Sequence, residues 1–177
     1  ADFLKSLELT MDATKINPDT CERTLALINK TNQFNVNGIR YDLLDFVNLL
    51  DNKNILKYSY TLTDKYSKYG EISVLIAEIV GNRVEILTWV LSCRAFGRSV
   101  ENVMLQHLVD QATLRGLNYI DCKLVHTPKN RPTADALERI GFIEGTSIEG
   151  ATSYTLDTKS ITKDDYFVNF NTFQDSV

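Results

Sequence analysis

Residues 92–104 read SCRAFGRSVENVM, and the fold turns on this stretch. The apolar run TWVL (88–91) leads into it, and helical spacing leads out, with Val100, Met104, Leu108 and Ala112 recurring on one face. Gly97 lies between, flanked by Arg94 and Arg98. A strand, a glycine-bearing turn and a helix in that order aim several free backbone N–H groups, and the positive end of the helix dipole, at one point. Gly97 lets the backbone approach a bound anion with no side chain in the way, and Arg98 adds charge from the rim. The alternative is that Ser99 merely N-caps the helix and Gly97 merely relieves a turn; the stretch alone leaves both readings open.

Composition narrows the setting. A chain of 177 residues, 44% hydrophobic and 24% charged, fits one folded domain with a sizeable core and argues against disorder. Its net charge of -4, with no lysine or arginine block, lacks the electrostatic footprint of a nucleic-acid binder. No segment reaches membrane-helix length, and ADFLKSLEL (1–9) has acidic residues where a signal peptide needs a basic and then an apolar run. Cys21, Cys93 and Cys122 are widely spaced and odd in number, so no disulfide framework is read and a reducing cytoplasm is expected.

Working outward, a short strand is expected around 8–13, and Asn17 and Pro18 open a helix carrying Cys21, Leu25 and Ile28 at helical spacing. TNQFNVNG (31–38) reads as a polar, amide-rich loop, after which Asp42 caps a second helix expected to bury Leu43, Val47 and Leu50. LKYSYTLTDKY (56–66), EISVLIAEIV (71–80) and RVEILTWVLSC (83–93) read as three antiparallel strands, the last two joined by a tight turn at Gly81 and Asn82. Gly116 ends the helix that starts near Val100. LNYIDCKLV (117–125) then reads as a buried strand, RPTADALERIG (131–141) as a short helix, and FIEGT (142–146) and TSYTLD (152–157) as closing strands. The order is β-α-α-β-β-β-α-β-α-β-β.

Arg94-x-x-Gly97-x-Ser99 resembles the Arg/Gln-x-x-Gly-x-Gly/Ala loop of the GNAT acyltransferase superfamily, which wraps the pyrophosphate of coenzyme A, and the order of elements is similar to that fold. Ser99 departs from the usual small Gly or Ala. The resemblance implies an α/β (α+β) domain with a mixed, mostly antiparallel sheet of about seven strands flanked by helices. INKTNQFN (28–35), DKYSKYG (64–70), TWVLSCRAFGRSVE (88–101) and TPKN (127–130) resemble, in the same order, the C-terminal domain of FkbH-like proteins. There a haloacid-dehalogenase-like phosphatase domain precedes the GNAT-like domain, and the pair loads a glyceryl unit from bisphosphoglycerate onto an acyl carrier protein for polyketide-type biosynthesis. The resemblance therefore implies coenzyme A or a carrier's phosphopantetheine as cofactor, an acyl carrier protein as partner, and a join to a preceding phosphatase domain at residues 1–7. No Asp-x-Asp-x-Thr motif is present, so dephosphorylation is not expected of this chain, and no metal is expected. A non-catalytic carrier-docking module and an acetyl-CoA-dependent N-acetyltransferase are the alternatives.

The resemblance implies cofactor contacts from Arg94, Phe96, Gly97, Arg98, Ser99 and Val100, and substrate contacts from Thr88, Thr127, Lys129, Asn130, Asn32 and Gln33. Thr127, Lys129 and Asn130 read equally as a capping loop before Pro132, and the amides of Asn32, Gln33 and Asn35 as loop-builders. Cys93 ends a strand beside two arginines and a helix N-terminus, surroundings in which thiols act as nucleophiles; the alternative is a small buried hydrophobe. In a GNAT-like sheet the two strands flanking this loop and helix splay around the pantetheine arm, which makes His126, at the end of the second of them, a candidate general base. FkbH-like chains usually carry proline there, and a solvent-facing or structural histidine is the competing reading. His107 is expected on an exposed helix face, and Trp89 in the core. Leu137 falls where many GNAT enzymes place a tyrosine acid, and Leu87 where FkbH-like chains tend to carry aspartate; Glu85 is expected to turn outward.

Overall fold

Gly81, at φ +61°, lets strands β4 (Lys68–Val80) and β5 (Arg83–Leu91) join through two residues, with Val80 facing Arg83. The computed structural model describes residues 2–161 and 163–173. β3 (Ile55–Thr63) pairs antiparallel with β4 and completes the expected meander. β1 (Leu9–Lys15) lies antiparallel beyond β3, while β6 (Tyr119–Val125) joins the other edge of β5 in parallel. β8 (Ala151–Asp157) and then β7 (Ile143–Ile148) extend that side antiparallel. Two further strands bring the described sheet to nine: β2 (Phe34–Asn35), which pairs with β5, and β9 (Val168–Asn171), which runs parallel to β1. At two and four residues they are too short for alternation to announce them.

Alternation along β5 sends Val90 to one face and Trp89 and Leu91 to the other. Helices α2 (Glu22–Lys30) and α3 (Leu43–Leu50) cover the first face, and α4 (Val100–Leu114) and α5 (Arg131–Arg139) the second. Residues 2–6 form a short helix, α1 (Asp2–Ser6), with no buried residue. Val100, Met104, Leu108 and Ala112 are fully buried, as their spacing predicts. Each such Leu or Met contributes roughly 1.5–3 kcal/mol.

Two burial expectations are corrected. Phe46 and Leu50 form the buried face of α3, whereas Leu43, in its first turn, is 46% exposed. His107 is buried, not exposed, because it faces the sheet and not solvent: the ring packs beside Tyr58 on β3 and Phe170 on β9, and Nδ1 lies 2.8 Å from the Tyr60 hydroxyl. Among the described residues no helix is long and apolar enough to cross a membrane.

The β5–β6 pair starts from a bidentate ion pair, Arg83 Nε and Nη2 to the Asp121 carboxylate at 2.6 and 2.7 Å, with Thr155 Oγ1 donating to Asp121 at 2.8 Å. The Arg83 hydrogen bonds hold the Asp121 carboxyl below its ordinary value. A lowered folded value contributes stability above about pH 4, and that stability is lost as pH falls through the folded value. Arg83→Gln is therefore expected to flatten the decline in unfolding midpoint between about pH 4 and pH 2, measured by circular dichroism.

Candidate functional site

β4 occupies one edge of β5 along its whole length, from Val80 opposite Arg83 to Ser73 opposite Leu91. On the other edge β6 follows only from Arg83 to Ile86, and the two parallel strands then part. Residues 92–99 turn out of β5 at this end. Ser92 N donates to Ile72 O at 2.7 Å, Cys93–Ala95 make one 3-10 turn, and the loop reaches α4 through Gly97 at φ +78° and Ser99 at φ +58°. Two left-handed residues so close together turn successive N–H groups to the same side, and glycine adopts that conformation without steric cost.

Among the described residues, the amides of Gly97, Arg98, Ser99, Val100 and Glu101 meet no acceptor. Ser99 is the N-cap residue, yet its side chain caps nothing, so the plain capping reading is not what the structure has. Arg98 does not stand at the rim as expected. Its guanidinium donates to the carbonyls of Arg94 and Phe96 at 3.0 and 3.2 Å and to the Tyr69 hydroxyl at 3.2 Å, so it braces the carbonyl side of the loop. Of these residues Gly97, Ser99 and Glu101 border a cavity of about 390 Å³ on the α4–α5 face, walled also by Phe34, Leu91, Phe96, Pro132, Asp135 and Ala136. Glu101 reaches toward it, paired with Arg139 at 2.8 Å.

A second, larger cavity of about 840 Å³ opens on the α2 face. Cys93 is exposed in its wall beside Ser92, with Lys30, Arg94 and Lys129 around it, Asn32 and Gln33 also in the lining, and no carboxylate there among the described residues. Arg94 is held by Tyr69 O and Ser92 Oγ, each at 3.1 Å. Cys93 is thus not a buried hydrophobe. Burial pushes the Cys122 thiol up to about 12 and raises that of Cys21, so neither is expected to react in the folded chain. Iodoacetamide is accordingly expected to modify one site in the native protein, Cys93, and all three cysteines after unfolding; peptide mapping reads the difference.

Several expected site residues do other work. His126 is exposed at the end of β6, its Nε2 2.7 Å from Thr152 Oγ1 on β8, and it lines neither cavity. Thr88 is buried against the Tyr41 hydroxyl at 2.9 Å, Val100 is core, and Leu137 is fully buried. Thr127 accepts from the amides of Lys129 and Asn130, which makes 127–130 a self-capped loop. Asn130 itself is buried, donating to Asn35 O at 3.0 Å and Val125 O at 2.8 Å. Trp89 is fully buried, edge-on to Phe34 with centroids 5.2 Å apart, and Glu85 is exposed, as read.

The splay between β5 and β6, expected to be open, is filled by the chain itself. Phe34 pairs with Leu91 and Asn35 with Val90; Val36 N donates to Trp89 O at 3.3 Å, and Asn37 Nδ2 to Leu87 O at 2.7 Å. On the far side Val125 N donates to Val36 O at 2.8 Å, so the segment bridges both strands. Thr133, at the head of α5, accepts from Asn35 N at 2.9 Å and donates to Gln33 O at 3.0 Å. The sequence signal was slight: Phe34 and Val36 stand two apart among asparagines, a strand's period over three residues.

No protein-family model and no curated protein matches the sequence. Solved structures do match its shape. The ribosomal-protein-S18-alanine N-acetyltransferase of Escherichia coli superposes with a TM-score of 0.61 at 15% identity, covering 88% of this chain and 98% of that one. The PaiA N-acetyltransferase of Thermoplasma acidophilum, solved with coenzyme A, gives 0.65 at 12% identity over 84% and 99%. The GNAT domain of S. lividans PAT gives 0.63 at 15% over 82% and 89%. The overall shape thus belongs to one known architecture: this chain has the GNAT fold.

Proposed function

We propose that this domain transfers an acyl group to the phosphopantetheine thiol of an acyl carrier protein by way of Cys93, as one part of glyceryl transfer in polyketide-type biosynthesis. The observation that carries the reading is the Cys93 cavity: an exposed thiol at a sheet end, three cationic side chains, and no carboxylate in the wall among the described residues. Such a wall favours an acidic acyl donor, because Lys and Arg bind phosphate and carboxylate while nothing there repels them.

The chemistry balances without a side-chain base. The Cys93 sulfur attacks the carbonyl carbon of an acyl phosphate; a C–S bond forms, the C–O bond to phosphate breaks, and the thiol proton leaves on the phosphate. The pantetheine sulfur then attacks the thioester carbon, and its proton returns to Cys93 as the new thioester forms. His126 takes no part in either step. A preceding phosphatase domain would act on the acyl unit, and the carrier is the partner.

A second reading, acetyl-CoA-dependent amine acetylation, is supported by the five free amides above α4, which suit a pyrophosphate. The pantetheine arm of coenzyme A, however, finds its place between β5 and β6 taken by Phe34–Asn35, and Leu137 offers no proton.

Intact-mass spectrometry separates the readings. The chain is incubated with 1,3-bisphosphoglycerate and then with a phosphopantetheinylated carrier. A mass gain mapped to Cys93 and discharged onto the carrier supports the proposal. Carrier binding with no mass change makes the domain a docking module, and acetylation of an amine from acetyl-CoA makes it an N-acetyltransferase; both overturn it.

A further inference from the structure

The two cavities lie on opposite faces of the sheet and share a single wall residue, Leu91. What separates them is the 33–37 segment. Phe34, Asn35 and Val36 are 2%, 4% and 0% exposed. Their backbone is bonded to β5 on one side and to Val125 on the other, with Thr133 and Asn130 pinning Gln33 and Asn35 from α5. Asn35 Oδ1 also accepts from the amides of Asn37 and Gly38, at 3.1 and 2.8 Å, and its Nδ2 donates to Thr31 O at 3.0 Å. A segment with its polar groups paired inside the protein and its apolar side chains buried opens only at the cost of all those contacts together.

We infer that residues 33–37 are a fixed internal strand that stands where a thioester arm would lie between β5 and β6, and that they select which donors reach Cys93. A nucleotide-linked thioester held at the α4 amides stays on the α4–α5 face, with its arm outside the sheet. A thiol on a carrier reaches Cys93 from the other face, past Lys30, Asn32 and Gln33 in that cavity's lining. The inference deepens the proposed function and rests on it for the role of Cys93. Its test does not depend on Cys93 reacting, so the two can fail separately.

The measurement is made on the wild-type chain, by titration with acetyl-CoA and with 3'-phosphoadenosine 5'-diphosphate, which keeps the pyrophosphate and lacks the arm, followed by amide hydrogen exchange at 10 mM of each. The arm is expected to add nothing: the two ligands bind within about twofold of one another, or neither binds detectably. Exchange at Val36 and Val125 is expected to stay within about twofold of the free protein, with or without acetyl-CoA or phosphopantetheinylated carrier. Acetyl-CoA binding tenfold or more tighter than the nucleotide overturns the inference. So does loss of protection at Val36 and Val125 on adding acetyl-CoA or carrier, which would make the segment a gate.

Discussion

Cys93→Ala is expected to lower acyl transfer to a phosphopantetheinylated carrier by about a thousandfold or more, while the unfolding midpoint stays within about 2 °C of wild type. The stability half follows from position. Cys93 is exposed, its sulfur makes no bond among the described residues, and truncating an exposed side chain moves stability by about 0.5 kcal/mol at most. The activity half follows from the chemistry. Without a nucleophile at residue 93 the acyl phosphate has no covalent route, and removing a covalent nucleophile costs about 4 kcal/mol or more of barrier. Cys93→Ser sharpens the result, because serine keeps the size but forms an ester that resists attack by a thiol. The serine variant is expected to load slowly, if at all, and not to discharge. Full transfer by the alanine variant, with its circular dichroism unchanged, would remove Cys93 from the chemistry and leave the cavity as a binding surface.

The sequence exposed the architecture wherever a pattern had room to repeat. The meander 56–91 carries long β-branched runs around a glycine turn, and α4 carries its apolar residues at helical spacing, so both were readable in type and order. The glycine loop was legible as a place where amides converge, because φ +78° at residue 97 is a demand that only glycine meets cheaply. His107 was misread because one helix face was assigned to solvent, and no local pattern records that a distant strand, β9, covers it. Similarly, Arg98 looks like a ligand-binding cation in sequence, whereas in the fold its Nη1 is turned onto the carbonyls of Arg94 and Phe96. The largest omission was Phe34–Asn35. Two residues of strand flanked by asparagines read as loop, and their placement depends on partners about 55 and 100 positions away, Leu91 and Thr133.

That omission gives Asn130 its weight. Asn130→Ala is expected to lower the unfolding midpoint by roughly 6–12 °C, an effect larger than its short side chain suggests. Its amide nitrogen donates to the carbonyls of Asn35 and Val125, and its carbonyl oxygen accepts from Thr127 N at 2.9 Å, all in a site 2% exposed. Alanine leaves those backbone groups without this partner, at about 1 kcal/mol each, or about 3 kcal/mol together. For a domain of this size each kcal/mol shifts the midpoint by about 2–4 °C. Asn130→Asp separates the two ends of the amide: it keeps the acceptor for Thr127 N, loses both donors, and sets a carboxylate against two carbonyls, so it is expected to destabilise at least as much as alanine. Arg131→Ala, on an exposed neighbour, is the control and is expected to move the midpoint by less than about 2 °C. Equal small shifts for all three variants would mean that the Asn130 amide adds nothing to holding the internal strand, and that its pairing to β5, Val125 and Thr133 carries the whole task.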